Sequence, residues 1–173
     1  MLKIEKVDES NFKDIPSPCK YCLYWQTSVP FDEKMLKREM EREKQEWFSK
    51  VIGEFGNCAF IAYFGGAPIG FIQCAPPRCF PRVKEYVSGP PSQDAVFLAC
   101  LYIANEKARG RGLGTAMLEE LLAELRKRRN KGVETFGAKK TANNPSGPLR
   151  LYLKRGFEIK NDKDDFPLVR FKL

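Results

Sequence analysis

Residues 101–114 read LYIANEKARGRGLG, and the run TAMLEELLAEL at 115–125 follows without a break. Three glycines, Gly110, Gly112 and Gly114, with Arg109 and Arg111 beside them, stand between an apolar segment and a helical pattern. Glycine lets the backbone turn tightly and lets a ligand approach its N–H groups, while the first turn of a helix offers unpaired donors and a positive dipole end. Such a junction suits an anion, most often a phosphate. The alternative is a plain strand-to-helix turn, with Arg111 simply facing solvent. Upstream, Ala95–Ile103 is almost wholly apolar, as expected of a central strand buried on both faces. Downstream, Leu113, Met117, Leu118, Leu121, Leu122 and Leu125 form one helical stripe. The RKRRNK run that ends it sets positive charge at the negative end of the dipole. Helix capping and solubility explain that run more economically than a nucleic-acid contact.

The remaining chain completes an alternating pattern. LKIEKV reads as a half-buried first strand, DESNFKDI as a short capped helix, and PSPCKYCLYWQTSVP as an ordered loop packed on the domain. From Asp32 to Phe55 the residues Leu36, Met40, Trp47, Val51 and Phe55 recur at helical spacing, and the intervening charges read as a solvated face. Asn57–Phe64 and Ile69–Gln73 flank Gly65-Gly66-Ala67-Pro68, a hairpin signal. A proline-rich crossover, CAPPRCFPRVKEYVSGPPSQD, is too broken for regular structure, and long loops of this kind are often functional. Val133–Ala138 reads as a strand, Pro148–Arg155 as a short helix ended by Gly156, and Phe157–Lys160 with Leu168–Leu173 as a final strand pair. The fold class is α/β with a mixed sheet, and no repeat or long linker divides residues 1–173 into more than one domain.

Composition limits the chemistry. With 43% hydrophobic and 30% charged residues the chain is an ordinary soluble globular one. No apolar run approaches the ~20 residues that span a bilayer, and MLKIEKVDES lacks a signal-peptide core, so no membrane partner is expected and the location expected is cytoplasmic. A net charge of +8 favours anionic ligands without identifying a site. There is no histidine, which removes Ser-His and Cys-His catalysis, imidazole metal ligands and the commonest neutral-pH base. Six cysteines without a secretion signal read as reduced thiols. Cys19 and Cys22 have zinc-knuckle spacing, but no second C-x-x-C supplies the other ligands, and Cys74 and Cys79 complete a set only at unusual spacing. No metal is expected; packed thiols, or a pair that oxidises under stress, is the better account. Cys58, Cys74 and Cys100 read as small core residues.

Two familiar phosphate loops do not fit. A Walker loop requires Lys where Gly114 is followed directly by Thr115, and a dinucleotide fingerprint requires G-x-G-x-x-G where this chain has G-x-G-x-G. Glu134 lies at the spacing of a ribose-binding acid, but the strand before the glycines is not the first.

What the stretch Arg109-Gly110-Arg111-Gly112-Leu113-Gly114 resembles is the R/Q-x-x-G-x-G/A motif of the GNAT superfamily of N-acetyltransferases. The resemblance extends upstream to Leu101-Tyr102-Ile103 and downstream to the segment from Asn144 through Tyr152 to Gly156-Phe157, which looks like the family's N…LY-x-K-x-GF element. It covers residues from about 55 to 160. It implies a GNAT-like, largely antiparallel central sheet flanked by helices. It implies acetyl-CoA as cosubstrate, its pyrophosphate cradled by the backbone N–H groups of residues 109–114 and its pantetheine arm paired with the strand carrying Leu101, Tyr102 and Ile103. Asn144 matches a cofactor-contacting position, and Tyr152 matches the acid that protonates the departing thiolate; the alternative is that Tyr152 is a core residue. The departure from the family is the base. Some members carry a glutamate on the central strand, whereas Ala95-Val96-Phe97-Leu98-Ala99 has no carboxylate and the bordering Asp94 and Glu85 match no motif.

The leading expectation is an acyltransferase that moves an acetyl group from acetyl-CoA to a primary amine by direct attack in a ternary complex. The alternative is an acyl-CoA-binding sensor on the same fold without turnover, and nucleic-acid binding is a weaker third. The acceptor expected is a small-molecule amine or a peptide N-terminus, not a polycation. Tyr21, Tyr24, Trp25 and Phe80 are candidate apolar walls, and Arg78, Arg82 and Lys84 candidate receivers of an acidic group. Self-association into a homodimer is left open.

Overall fold

The computed structural model describes residues 1–29, 34–140 and 144–173. The elements follow in the order β1 (Leu2–Lys6), α1 (Lys37–Phe55), β2 (Ala59–Phe64), β3 (Ala67–Ala75), β4 (Val96–Ile103), α2 (Leu113–Lys127), β5 (Gly132–Phe136), α3 (Leu149–Lys154), β6 (Glu158–Asn161) and β7 (Leu168–Lys172). The seven strands form one sheet in the order β1-β2-β3-β4-β5-β7-β6. Every neighbouring pair is antiparallel except β4–β5. This is the mixed α/β architecture anticipated from the element pattern.

Several boundaries move for local reasons. Gly65 and Gly66, at φ +57° and +85°, form a two-residue turn of the hairpin type, so Ala67 and Pro68 belong to β3 and not to the turn. Pro68 is tolerated there beside a register irregularity at Ala62/Tyr63. The DESNFKDI segment forms only a single 3-10 turn at Phe12–Asp14, and the crossover contains two more, at Pro77–Cys79 and Pro81–Glu85. The expected helix start at Asp32 lies outside the described residues.

Two cores lie on opposite faces of the sheet. On one, Phe48 and Val51 of α1 meet Trp25, Phe71 and Phe97; on the other, the six-residue stripe of α2 meets Phe60, Ile72, Leu98, Val133 and Tyr152. Cys58, Cys74 and Cys100 are buried core residues, and all six thiols are free. Burial pushes the Cys19 and Cys58 thiols up to about 12. In β4 the register jumps so that Gln73 faces Cys100 while Cys74 faces Leu98, leaving Ala99 as the extra residue of a bulge. Ala99 and Cys100 consequently share the α1 face.

Two buried charges were not anticipated. Lys44, expected on the solvated face of α1, is 1% exposed because it falls at i, i+4, i+7 with Phe48 and Val51. Its Nζ donates to the Cys22 carbonyl at 2.8 Å and lies near the rings of Phe48 and Phe71. Glu134 sits on β5 with no exposed surface, directly across from Arg170 of β7. It accepts from Arg170 and Lys160, both at 2.9 Å, and from the Ser92 N–H at 2.7 Å. Arg170 also clasps Asp94 at 3.0 and 3.2 Å. This network fastens the end of the crossover to β5, β6 and β7. Burial alone would raise the Glu134 carboxyl, but its hydrogen bonds to Lys160, Ser92 and Arg170 outweigh it and hold the group below its ordinary value of 4.5.

A group whose folded pKa is depressed stabilises the fold above its unfolded value, and that stabilisation is lost as the pH falls through the folded one. Glu134→Gln leaves Arg170 and Lys160 without their buried anion and is expected to cost about 3 kcal/mol in urea unfolding at neutral pH. The difference from the parent protein should shrink as the pH drops below 4.5. An unchanged unfolding midpoint contradicts a structural role for this carboxylate.

Candidate active site

The central feature is a parting of two strands. β4 and β5 pair only through Val96–Val133 and Phe97–Glu134. One step further, the buried Thr135 hydroxyl donates across to the Leu98 carbonyl at 2.8 Å, and beyond it the strands separate. Alternate residues of a strand direct their N–H and C=O groups to opposite sides. The Leu101 N–H faces the opening and donates to the Pro145 carbonyl at 2.8 Å, whereas Ala104, three residues on, bonds to Ile69 of β3. Ile103 shares the Leu101 edge, and its carbonyl accepts from Arg109 Nε at 3.1 Å. Tyr102 has its backbone toward β3 and its partly buried ring on the α1 side.

At the end of β4 a 3-10 turn over Glu106–Ala108 leads into the glycines, with Asn105 Oδ1 accepting the Lys107 N–H at 3.0 Å. The Arg109 N–H is spent on the Glu106 carbonyl at 3.1 Å, and its guanidinium folds back onto Ile103 and Glu106. Arg109 therefore braces the end of β4, and the donors of this junction begin at Gly110. Gly112 caps α2 in the left-handed conformation, φ +83°, and its carbonyl accepts the first helical bond from Ala116 at 2.9 Å. The N–H groups of Leu113, Gly114 and Thr115 precede that bond and have no acceptor within the helix. The Leu113 side chain is buried under them, while Arg111 is exposed. A Cβ on Gly114 would lie 3.9 Å from both Leu101 and Leu151, so the helix start touches both β4 and α3.

Tyr152 of α3 is fully buried, its ring edge-on to Phe157. Its hydroxyl donates to the Ser146 carbonyl, beneath a Gly147 whose Cβ would lie 3.6 Å from the phenol oxygen and 3.8 Å from Leu101. Desolvation raises the phenol well above its ordinary pKa of 10, so the group keeps its proton across the physiological range. Asn144 Oδ1 accepts the Ser146 N–H at 3.0 Å, opening the segment that reaches Tyr152. Thr135 and Ser146 escaped the sequence analysis; the N-x-S spacing was the available signal for the second, since an Asn side chain commonly binds the backbone N–H two residues on.

On the opposite face of β4 the aromatic residues of the early loop and the crossover pack together. Trp25, 1% exposed, stacks on Tyr86 and meets Phe97 edge-on, and Tyr86 stacks on Phe136 at 4.3 Å. The hydroxyls of Tyr24 and Tyr86 share a 2.9 Å hydrogen bond. Of the residues considered for an acceptor pocket, Phe80 is a core residue with no exposure, while Tyr24 is exposed. Arg82 is committed: it lies over the Tyr24 ring, donates to the Tyr24 carbonyl at 2.5 Å and pairs with Glu85 at 2.9 Å. Arg78 and Lys84 are exposed. Both acids that border β4, Asp94 and Glu85, are thus held by arginines.

The sequence profile described as "Acetyltransferase (GNAT) family" matches residues 19–157. The chain belongs to the GNAT acetyltransferase family. It is an acyltransferase by that membership, and solved GNAT structures share its fold over their full length. The PaiA N-acetyltransferase of Thermoplasma acidophilum, in complex with coenzyme A, is 14% identical with a TM-score of 0.60, covering 100% of this chain and 99% of its own. The ribosomal-protein-S18-alanine N-acetyltransferase of Escherichia coli is 15% identical, TM-score 0.60, over 99% and 94%. Arabidopsis thaliana Naa50, in complex with the bisubstrate analogue CoA-Ac-MVNAL, is 15% identical, TM-score 0.58, over 99% of each chain. No curated protein matches the sequence at a significant level. Among the described residues no helix is long and apolar enough to cross a membrane.

The geometry of this GNAT junction separates its glycines. Gly112→Ala forces a side chain into a left-handed cap and should cost about 1 kcal/mol of stability. Gly114→Ala places a methyl in ordinary contact within a helical turn and should leave stability unchanged or slightly raised. Thermal unfolding of the two variants checks this; equal destabilisation contradicts the cap assignment.

Proposed function

We propose that this protein transfers the acetyl group of acetyl-CoA to a primary amine in a ternary complex. The observation that carries the proposal is that three features meet at one opening: the edge of β4 at Leu101, the donor-rich start of α2, and the hydroxyl of Tyr152. In this reading the N–H groups from Gly110 to Thr115 hold the pyrophosphate, where backbone donors and the helix dipole favour negative charge. The pantetheine arm follows the edge of β4 that faces the opening, through the backbone groups of Leu101 and Ile103, with Asn144 beside it. The thioester then lies near Tyr152.

Transfer needs no covalent enzyme intermediate. The amine nitrogen donates its lone pair to the thioester carbonyl carbon, a C–N bond forms, and the C–S bond breaks. The sulfur takes the proton of the Tyr152 hydroxyl, the amine releases one proton to water, and the phenol is recharged from solvent. Burial keeps the phenol protonated until the thiolate develops. Asp94 and Glu85 are both held in ion pairs with arginines, so the amine is best served by arriving neutral. An α-amine, with a reference pKa near 8, does so far more readily than a lysine near 10.4. The named substrates of two neighbours, a ribosomal-protein alanine and a peptide-bearing bisubstrate analogue, support a peptide N-terminus as one acceptor class. A non-catalytic acyl-CoA sensor is favoured only by the lack of a carboxylate on β4.

Thiol release from acetyl-CoA, screened over amino acids, short peptides, polyamines and aminoglycosides, decides among these. Release with peptide or small neutral or acidic amines is expected; tight binding without release from any amine establishes the sensor. Efficient turnover confined to spermidine or lysine-rich peptides overturns the acceptor preference.

Two sets of variants address the roles. Gly112→Asp and Gly114→Asp each set a carboxylate where the phosphates would lie, and calorimetry should show acetyl-CoA binding abolished. Tyr152→Phe retains the packing and should lower kcat about 100-fold with cofactor affinity changed no more than a few-fold. A fully active Phe variant reduces Tyr152 to a core residue.

A further inference from the structure

The opening between β4 and β5 is crossed by the chain itself. Residues 144–148 run through it as a strap that bonds to both strands. On the β4 side, Pro145 C=O accepts the Leu101 N–H at 2.8 Å. On the β5 side, Ser146 Oγ donates to the Phe136 carbonyl at 2.6 Å, and the Gly147 carbonyl accepts the Ala138 N–H at 3.1 Å. The Leu149 N–H returns to the Ala138 carbonyl at 2.8 Å, and the Tyr152 hydroxyl donates to the Ser146 carbonyl. Ser146 is 2% exposed and Gly147 is buried, so the strap lies inside the opening and not over it.

The strap engages the two groups that the acetyl-CoA reading most needs. An amide carbonyl of pantetheine paired with β4 would take the Leu101 N–H, which Pro145 now holds. A departing thiolate would take the Tyr152 proton, which Ser146 now holds. The Leu101 donor points into the opening along one direction, so Pro145 and the cofactor amide compete for it.

The composition of the strap suits departure. Pro145 and Pro148 have no N–H, and the Ser146 N–H is already satisfied by Asn144 within the strap. Withdrawal therefore strands few donors of the strap itself. The prolines also limit the conformations the segment gains when free, which keeps return to the opening inexpensive.

We propose that the 144–148 strap is an internal competitor for the pantetheine slot, and that acetyl-CoA binds by displacing it. The proposal rests on the acetyl-CoA reading of the preceding subsection. Displacement couples two events: the Leu101 donor passes from Pro145 to the cofactor, and the Tyr152 hydroxyl is released from Ser146 as the thioester arrives. Tyr152 is thereby kept from acting as a proton donor until the slot is filled. Ser146 is the positioning residue of the device, because its side chain holds the strap to β5 while its carbonyl holds the phenol. The apparent affinity for acetyl-CoA is lowered by the fraction of molecules in which the strap is seated.

Residue-resolved amide hydrogen exchange on the intact protein, with and without saturating coenzyme A, tests the device. Calorimetry on the same sample first establishes binding. The expected result is faster exchange at Ala138 in the complex, since its acceptor, the Gly147 carbonyl, leaves with the strap, while Leu101 stays slow because its acceptor is exchanged and not lost. Binding with Ala138 as slow as before, or slower, overturns the strap proposal and leaves the acetyl-CoA reading standing. No binding of coenzyme A overturns both. In a second arm, Ser146→Ala removes a hydrogen bond present only in the strapped form and should tighten acetyl-CoA binding between about two- and ten-fold. Unchanged or weakened affinity in a variant that folds like the parent counts against the proposal.

Discussion

The architecture depends on the shortness of one parallel pairing. β4 and β5 hold each other through two residue pairs and the Thr135–Leu98 bridge, then part. A parallel neighbour requires a crossover connection, which α2 supplies, and the crossover delivers the start of a helix to the same end of the sheet at which the strands diverge. Backbone polar groups cannot be left unpaired in a buried setting without cost, so the exposed edge of β4 demands a partner. Leu101 finds one in Pro145. A fold with this divergence has a backbone-lined slot whatever side chains border it, so the groups that Leu101 and Ile103 present there are an N–H and a C=O, and their side chains remain ordinary apolar ones.

Several charges packed against the sheet are turned to structure. Glu134 and Arg170 are locked across β5 and β7, Lys44 is buried on a carbonyl, and Arg128 caps the carbonyls of Phe55 and Asn57 where α1 ends. Arg82 and Arg109, both attractive as anion receivers, are bonded to the chain's own backbone. At the opening itself the Leu101 N–H, the start of α2 and the Tyr152 hydroxyl offer neutral donors. Chemistry in such a setting favours a neutral nucleophile and a neutral acid over a transfer that begins by forming charge in the core.

The periodic parts of the fold were legible because period and burial agree. The α2 stripe, the apolar β4 and the Gly-Gly hairpin are all where their spacing puts them. Legibility failed where a single polar residue contradicts its period. Lys44 shares a helical face with Phe48 and Val51, but only the Cys22 carbonyl, brought in from the early loop, makes its burial tolerable. Glu134 reads only as an acid at a ribose-binding spacing until Arg170 and Lys160 arrive from 36 and 26 residues away. In the site, Tyr152 and the glycine junction carry local motifs, whereas the burial of Arg109's N–H donor capacity in a 3-10 turn and the course of the 144–148 strap depend on backbone geometry that residue types do not record. The aromatic face considered for the acceptor is least legible of all, since its packing joins four segments with no periodic pattern.

The most direct measurement is a crystal structure of the protein with bound acetyl-CoA. The pyrophosphate should lie against the N–H groups between Gly110 and Thr115, the pantetheine between β4 and β5 with an amide carbonyl on the Leu101 N–H, and the thioester sulfur within hydrogen-bond reach of the Tyr152 hydroxyl. A cofactor bound on any other surface, with the opening between β4 and β5 still filled by Pro145 and Ser146, would contradict the account.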